Sequence, residues 1–216
     1  MAMTRRRWLA HCSAALAAAA AIAAMPAFAA ATRTVLVVGD SLSAEYGLVR
    51  GTGWVALLEQ RVARERIAAT IVNASISGDT TAGGLARLPA LLREKKPGIV
   101  VIELGGNDAL RGLPLEATRA NLVAMTKLAK AAGAKVVIVG MQLPPNYGRA
   151  YGDRFASLFA DVAKAEGTAL VPFLLKGVAD APQAETMFQP DRIHPLASAH
   201  PTMLANVWPV LAPLLR

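Results

Sequence analysis

Short apolar runs alternating with longer segments of helical period predict an α/β fold, a three-layer α/β/α sandwich built on a five-stranded parallel sheet. Two further observations support it. Each run is rich in valine and isoleucine, as strands covered on both faces should be. Chemically notable residues also gather just past the ends of these runs, where ligands are expected in such sheets.

The predicted strands are "TVLVVG" (34–39), "ATIVNA" (69–74), "GIVVIEL" (98–104), "KVVIVGM" (135–141) and "TALVPF" (168–173). Helices are predicted at 53–66, 82–94, 116–132, 151–166 and 198–213, with Gly133 as the C-terminal cap of the third. No internal repeat, charge run or linker divides the chain after residue 29.

Residues 1–29 read as an address. Arg5, Arg6 and Arg7 form a positive n-region, residues 13–24 an alanine-rich h-region, and "AFA" (27–29) a cleavage site, so a signal peptide cut after Ala29 or slightly later is expected. The run is too short for the roughly 20 strongly apolar residues of a membrane span. "TRRRWLA" resembles a twin-arginine signal without its usual tail, which leaves the export route open. "LAHC" lacks the order of a lipoprotein signal, because the apolar stretch follows the cysteine.

The predicted mature chain, 30–216, is a single domain able to bury on the order of 70% of its unfolded surface. Its expected location is periplasmic or secreted. The only cysteine, Cys12, falls in the signal, so no disulfide, thiol nucleophile or thiolate metal site is available to the mature chain. Its 20 basic and 15 acidic residues leave a dispersed charge of +5. Such a balance reads as a solvated surface, compatible with anionic substrates or lipid surfaces.

The candidate chemistry starts at Ser41, where "VLVVGDSLSAEYG" breaks from strand into turn. A serine needs a base, and the mature chain has two histidines, His194 and His200. Asp191 lies three residues before His194, a spacing that lets its carboxylate reach the ring nitrogen facing away from the serine. His200 has no comparable aspartate and reads as a surface histidine opening the last helix.

Attack by Ser41 would create an oxyanion, for which the backbone N–H groups of Ser41 and Gly78 and the side-chain amide of Asn107 are candidate donors. Taken alone, "SGDT" and "GGND" are turns. Asp40 and Asp108 suggest a paired-carboxylate mechanism, but each lies in a glycine-containing turn where aspartate commonly bonds local backbone. "GTGWVA" (51–56) fits a loose dinucleotide pattern yet lies twelve residues past the strand rather than in its turn. No metal-ligand cluster or phosphate loop is present, which predicts catalysis without metal or cofactor.

In order, "GDSLSAEYG", "NASISGDTTAGGLARLP", "ELGGNDALRG", "LPPNYGRAY" and "DRIHPLASAHP" resemble the GDSL or SGNH hydrolase family. The resemblance is closest to its branch of secreted thioesterase I, lysophospholipase and arylesterase proteins. It spans nearly all of the mature chain and implies the flavodoxin-like fold of that family. It also implies Ser41 as nucleophile, His194 and Asp191 as base and orienter, and Gly78 and Asn107 as oxyanion donors. In that branch the loops 107–114 and 143–152 line the acyl pocket, which marks Leu110, Leu143 and Tyr147 as substrate-binding candidates, with ordinary loop packing as the equal alternative. Glu45 stands where a glycine would fit as readily, so the entrance beside the nucleophile is expected to differ.

The resulting expectation is a monomeric serine hydrolase acting on small acyl esters or thioesters. It would make at most transient contact with lipid surfaces and none with nucleic acid. A carbohydrate O-acetyl esterase of the same fold and a non-catalytic flavodoxin-like binding module are the alternatives.

Overall fold

The computed structural model describes residues 33–216. The predicted signal segment, including Cys12, lies outside the described residues.

The chain runs β1 (Arg33–Gly39), α1 (Trp54–Arg64), β2 (Ala69–Asn73), α2 (Thr81–Lys95), β3 (Ile99–Glu103), α3 (Gly106–Leu110) and α4 (Leu115–Ala131). It continues through β4 (Lys135–Val139), α5 (Arg149–Glu166), β5 (Ala169–Val171) and α6 (His200–Leu215). All strands pair in parallel in the order β2-β1-β3-β4-β5. Burial follows this order: Val35–Val38 of β1 and all of β3 are buried, whereas β2 at the sheet edge is only partly covered.

Each long helix buries one stripe at helical spacing. Trp54, Val55, Leu58 and Val62 do so in α1, and Phe155, Leu158, Phe159 and Val162 in α5. Helices α1 and α6 pack together on one face, while α2, α4 and α5 adjoin one another on the other. The doubly wound arrangement reverses its winding between β1 and β3, so a crevice opens outside their carboxyl ends.

Most predicted elements shift by one or two residues, for local reasons. Helix α1 stops at Arg64 because Arg66 turns left-handed, at φ 53°. Gly133 ends α4 as expected: at φ 83° its N–H donates to Lys130 O, and Ala134 N–H donates to Ala129 O. The sequence reading missed α3, whose five residues are too few to display a period.

Gly140, just past β4, marks a close backbone approach. A Cβ there would stand 2.3 Å from the carbonyl oxygen of Pro172, and backbone cannot swing aside as a side chain can. Gly140→Ala is therefore expected to destabilise the fold by about 3 kcal/mol in a urea titration. A loss below about 1 kcal/mol would show that the β4 and β5 ends yield freely.

Candidate active site

Ser41 is the second residue past β1, in a turn closed by Ser43 and Ala44 N–H groups donating to Asp40 O at 3.2 and 2.9 Å. Because β1 lies between β2 and β3, the turn is flanked on one side by Gly78 after β2 and on the other by Asn107 in α3 after β3. Parallel pairing thus gathers on one crevice three residues far apart in sequence.

His194 arrives from the long segment between β5 and α6. Phe188 and Pro195 form an antiparallel bridge there, extended by Gln189 N–H to His194 O at 2.8 Å and Leu196 N–H to Met187 O at 2.8 Å. The tip of this hairpin is held by Asp191, whose Oδ1 accepts the N–H groups of Ile193 and His194 at 2.9 and 3.0 Å. Arg192 takes the left-handed conformation, at φ 57°, that this tight turn requires.

The imidazole bridges the two functional groups predicted for it. Its Nε2 stands 2.9 Å from Ser41 Oγ and its Nδ1 2.7 Å from Asp191 Oδ2. Desolvation pushes the Asp191 carboxyl upward. The hydrogen bonds from His194 and Ile193 and the charge of His194 outweigh it and hold Asp191 low, at about 2. Asp191 is therefore ionised at neutral pH, so Nδ1 carries the proton and Nε2 faces the serine as an acceptor.

Gly78 adopts φ 78°, a conformation costly for residues with a Cβ. Its loop is fixed from three sides. Ile76 N–H donates to Gly39 O at 3.0 Å, Arg111 Nη2 to Gly78 O at 2.8 Å, and Arg87 of α2 bridges Asp79 Oδ2 at 2.8 Å and Ala74 O. Asn107 Nδ2 donates to Asp40 Oδ2 at 3.1 Å, which orients the amide and leaves its second hydrogen free for a ligand. Among the described residues no protein acceptor takes the N–H of Ser41 or Gly78. The arrangement can activate a hydroxyl and receive a negative oxygen beside it.

The two aspartates set aside as turn residues behave differently from each other. Asp40 bonds local backbone as expected, accepting Leu42 N–H at 3.0 Å. Asp108 does not: its Oδ2 accepts the N–H of Thr81 at 2.9 Å and its Oδ1 the Thr81 hydroxyl, 27 residues away. It thereby caps the first turn of α2, a long-range contact invisible in local spacing. The pair forms no acid/base dyad.

His200 is also corrected. It opens α6 as predicted but is buried, at 2% exposure, and its Nδ1 accepts the backbone N–H of Trp54 at 3.0 Å. Burial lowers its pKa against the opposing influence of Glu45 and a hydrogen bond with the Pro195 backbone. It serves as an N-terminal cap for α1, a helix whose own N-cap residue, Gly53, has no side chain to offer.

Glu45 sits at φ 60°, which explains why a glycine would suit its place. Its carboxylate accepts the N–H groups of Gly51 and Gly53, at 2.9 and 2.8 Å. The three substrate-binding candidates divide by environment. Leu110 and Leu143 are half-buried, Leu143 against the core, and Tyr147 is exposed. The two loops that carry them are joined by Tyr151 Oη donating to Ala109 O at 3.4 Å. Among the described residues no group of three or more His, Cys, Asp or Glu side chains is close enough to hold a metal ion.

Sequence reasoning overlooked three residues at this site. The Tyr46 ring lies 4.3 Å from that of His194, tilted by 38°. Gln189 Nε2 donates to Tyr46 O at 2.9 Å, tying the serine loop to the histidine hairpin. Glu103, at the end of β3, is buried directly behind the serine turn. Only Glu103 left a signal: an acidic residue inside an otherwise apolar strand.

The chain is similar to several known proteins. Esterase TesA of Pseudomonas aeruginosa is 56% identical over 186 residues, covering 86% of this chain and 91% of the relative. The thioesterase 1/protease 1/lysophospholipase L1 of Escherichia coli is 41% identical over 188 residues, 87% of this chain and 88% of the relative. A crystal structure of TesA matches with a TM-score of 0.81 at 56% identity, over 84% of this chain and 99% of that one. The GDSL-like lipase/acylhydrolase family model matches residues 37–201. With that match spanning the serine turn, the loops of Gly78 and Asn107 and the histidine hairpin, the chain belongs to the GDSL-like lipase/acylhydrolase family.

Proposed function

We propose that this ester hydrolase of the family is a serine enzyme that cleaves acyl esters and thioesters through an acyl-enzyme. The observation that carries the reading is the continuous contact Ser41 Oγ, His194 Nε2, His194 Nδ1, Asp191 Oδ2. Ser41 attacks the acyl carbonyl while His194 takes its proton, and the Asp191 carboxylate stabilises the imidazolium so formed. The oxyanion is met by the N–H groups of Ser41 and Gly78 and the amide of Asn107. Collapse of this intermediate breaks the ester or thioester bond, and His194 passes its proton to the departing alcohol or thiol. Water, deprotonated by the same imidazole, then attacks the acyl-serine; the acyl–Oγ bond breaks, His194 returns the proton to Ser41 Oγ, and the acid is released.

Export to the periplasm or medium, with residues 30–216 as one mature domain, belongs to the same proposal. It is supported by the charged and alanine-rich opening and by a mature chain free of cysteine. Among the described residues no helix is long and apolar enough to cross a membrane. Exposed Val49, Ile76 and Ile193 on loops at the carboxyl edge of the sheet would suit transient contact with a lipid surface, and the enzyme is proposed to act as a monomer.

A fluorophosphonate probe tests the assignment. Mass spectrometry of the digested adduct should place the label on Ser41, and an active, folded enzyme labelled elsewhere would refute it. The acyl length is read from a series of p-nitrophenyl esters. Faster turnover of hexanoyl and longer chains supports the thioesterase or lipid-type substrate, and preference for acetyl supports a sugar esterase instead. Asn107→Ala should lower kcat by roughly 10²- to 10³-fold with little change in KM, because the lost donor acts on charge that appears only in the transition state. An unchanged kcat would remove Asn107 from the oxyanion site.

A further inference from the structure

The turn that carries Ser41 rests on a carboxyl group that the hydrolytic mechanism does not use. Glu103 ends β3, whose other residues are all apolar, and is 1% exposed. Its Oε2 accepts the Ser43 hydroxyl at 2.6 Å and the Asp40 backbone N–H at 3.3 Å, so it holds the residues on either side of the two-residue stretch Ser41 and Leu42. Ser43 Oγ in turn accepts the Trp54 Nε1–H at 3.1 Å, so the hydroxyl relays the indole to the carboxyl. The neighbouring glycine keeps room for this group: a Cβ on Gly39 would stand 2.7 Å from Glu103 Oε2.

We propose that Glu103 is a positioning residue for the hydrolytic reaction, a buried hydrogen-bond acceptor whose Oε2 anchors both flanks of the nucleophile turn and so aims Ser41 Oγ at His194 Nε2. It rests on the serine-hydrolase reading above. The group acts uncharged. Its Oε1 is buried without a hydrogen-bond partner, and no Lys, Arg or His among the described residues forms an ion pair with it. An anion so placed would be desolvated with one oxygen unsatisfied. Burial, and then the charge on Asp40, hold its pKa well above the usual carboxylate range. Asp40 is the member of the pair that carries charge at neutral pH. Burial raises it to about 6, against the pull of Leu42 N–H, the His194 charge and the Asn107 amide.

A neutral acceptor is replaceable by an amide, whereas an essential anion is not, and this separates the proposal from its opposite. Glu103→Gln should keep kcat for p-nitrophenyl butyrate within about threefold of wild type. Glu103→Ala, which leaves the Ser43 hydroxyl and Asp40 N–H without an acceptor, should lower kcat by about 30- to 100-fold with KM changed less than threefold. The rate of fluorophosphonate labelling at Ser41 should fall by the same factor. Should the alanine variant fail to fold, Ser43→Ala takes its place, with about a tenfold loss of kcat expected. Three results would overturn the proposal: a folded Glu103→Gln as impaired as Glu103→Ala, a loss expressed in KM alone, or Ser43→Ala at the wild-type kcat. Wild-type and Ser41→Ala proteins run alongside. Equal turnover by those two would remove the serine-hydrolase reading itself, whatever the Glu103 variants do.

Discussion

Ser41→Ala is expected to lower kcat for p-nitrophenyl esters by roughly 10⁵- to 10⁶-fold while leaving the protein folded. The size of the loss follows from the proposed role: without Oγ there would be no acyl-enzyme, and the remaining donors could assist only direct attack by water, which preserves a small residual rate. Stability should barely move. The Ser41 hydroxyl is only half-buried and its one side-chain partner is His194, so removing it costs about 1 kcal/mol at most. A thermal melt alongside the kinetics distinguishes chemical from structural damage. Activity within tenfold of wild type, in a variant free of contaminating esterase, would exclude Ser41 as the nucleophile.

Asp191→Asn is expected to lower kcat by about 10³- to 10⁴-fold, although it changes one atom. Asparagine can still accept the Ile193 and His194 N–H groups through its oxygen, so the hairpin tip is retained. Its NH₂ then faces His194 Nδ1 where a carboxylate oxygen stood. Two donors cannot face each other, so the imidazole proton moves to Nε2 and the ring offers Ser41 a donor instead of an acceptor. The pH profile provides the second readout. Asp191 is held at about 2 and therefore stays charged throughout the working range. On acidification, protonation of Asp40, raised to about 6, weakens the acceptor that orients Asn107 and lowers wild-type activity. Asp191→Asn should depress the whole profile without moving activity to higher pH. A loss smaller than tenfold would mean that something other than Asp191 sets the tautomer.

Much of this site was legible because its parts lie next to strong local signals. Ser41, Gly78 and Asn107 each follow a Val/Ile-rich strand, and the Asp191 to His194 spacing is a local turn that Asx hydrogen bonding closes. What escaped has no local signature. His200 looked like a surface residue because its partner, the Trp54 N–H, lies 146 residues away. Asp108 looked like a turn residue because Thr81 comes from another element. Tyr46 meets His194, and Gln189 Nε2 reaches Tyr46 O, only after the long β5 to α6 segment has folded back across the carboxyl edge.

By itself the sequence determined the kinds of element, their order, and which strand ends bear reactive groups, since side-chain periodicity and turn chemistry act over a few residues. Only the tertiary structure decided that β1 lies between β2 and β3, and hence that Gly78 and Asn107 flank Ser41 rather than lying on distant edges. It alone also placed the Glu103 carboxyl beneath the serine turn. Strand order and burial are set by packing between segments far apart in the chain, and the state of a buried acid depends on every group that surrounds it.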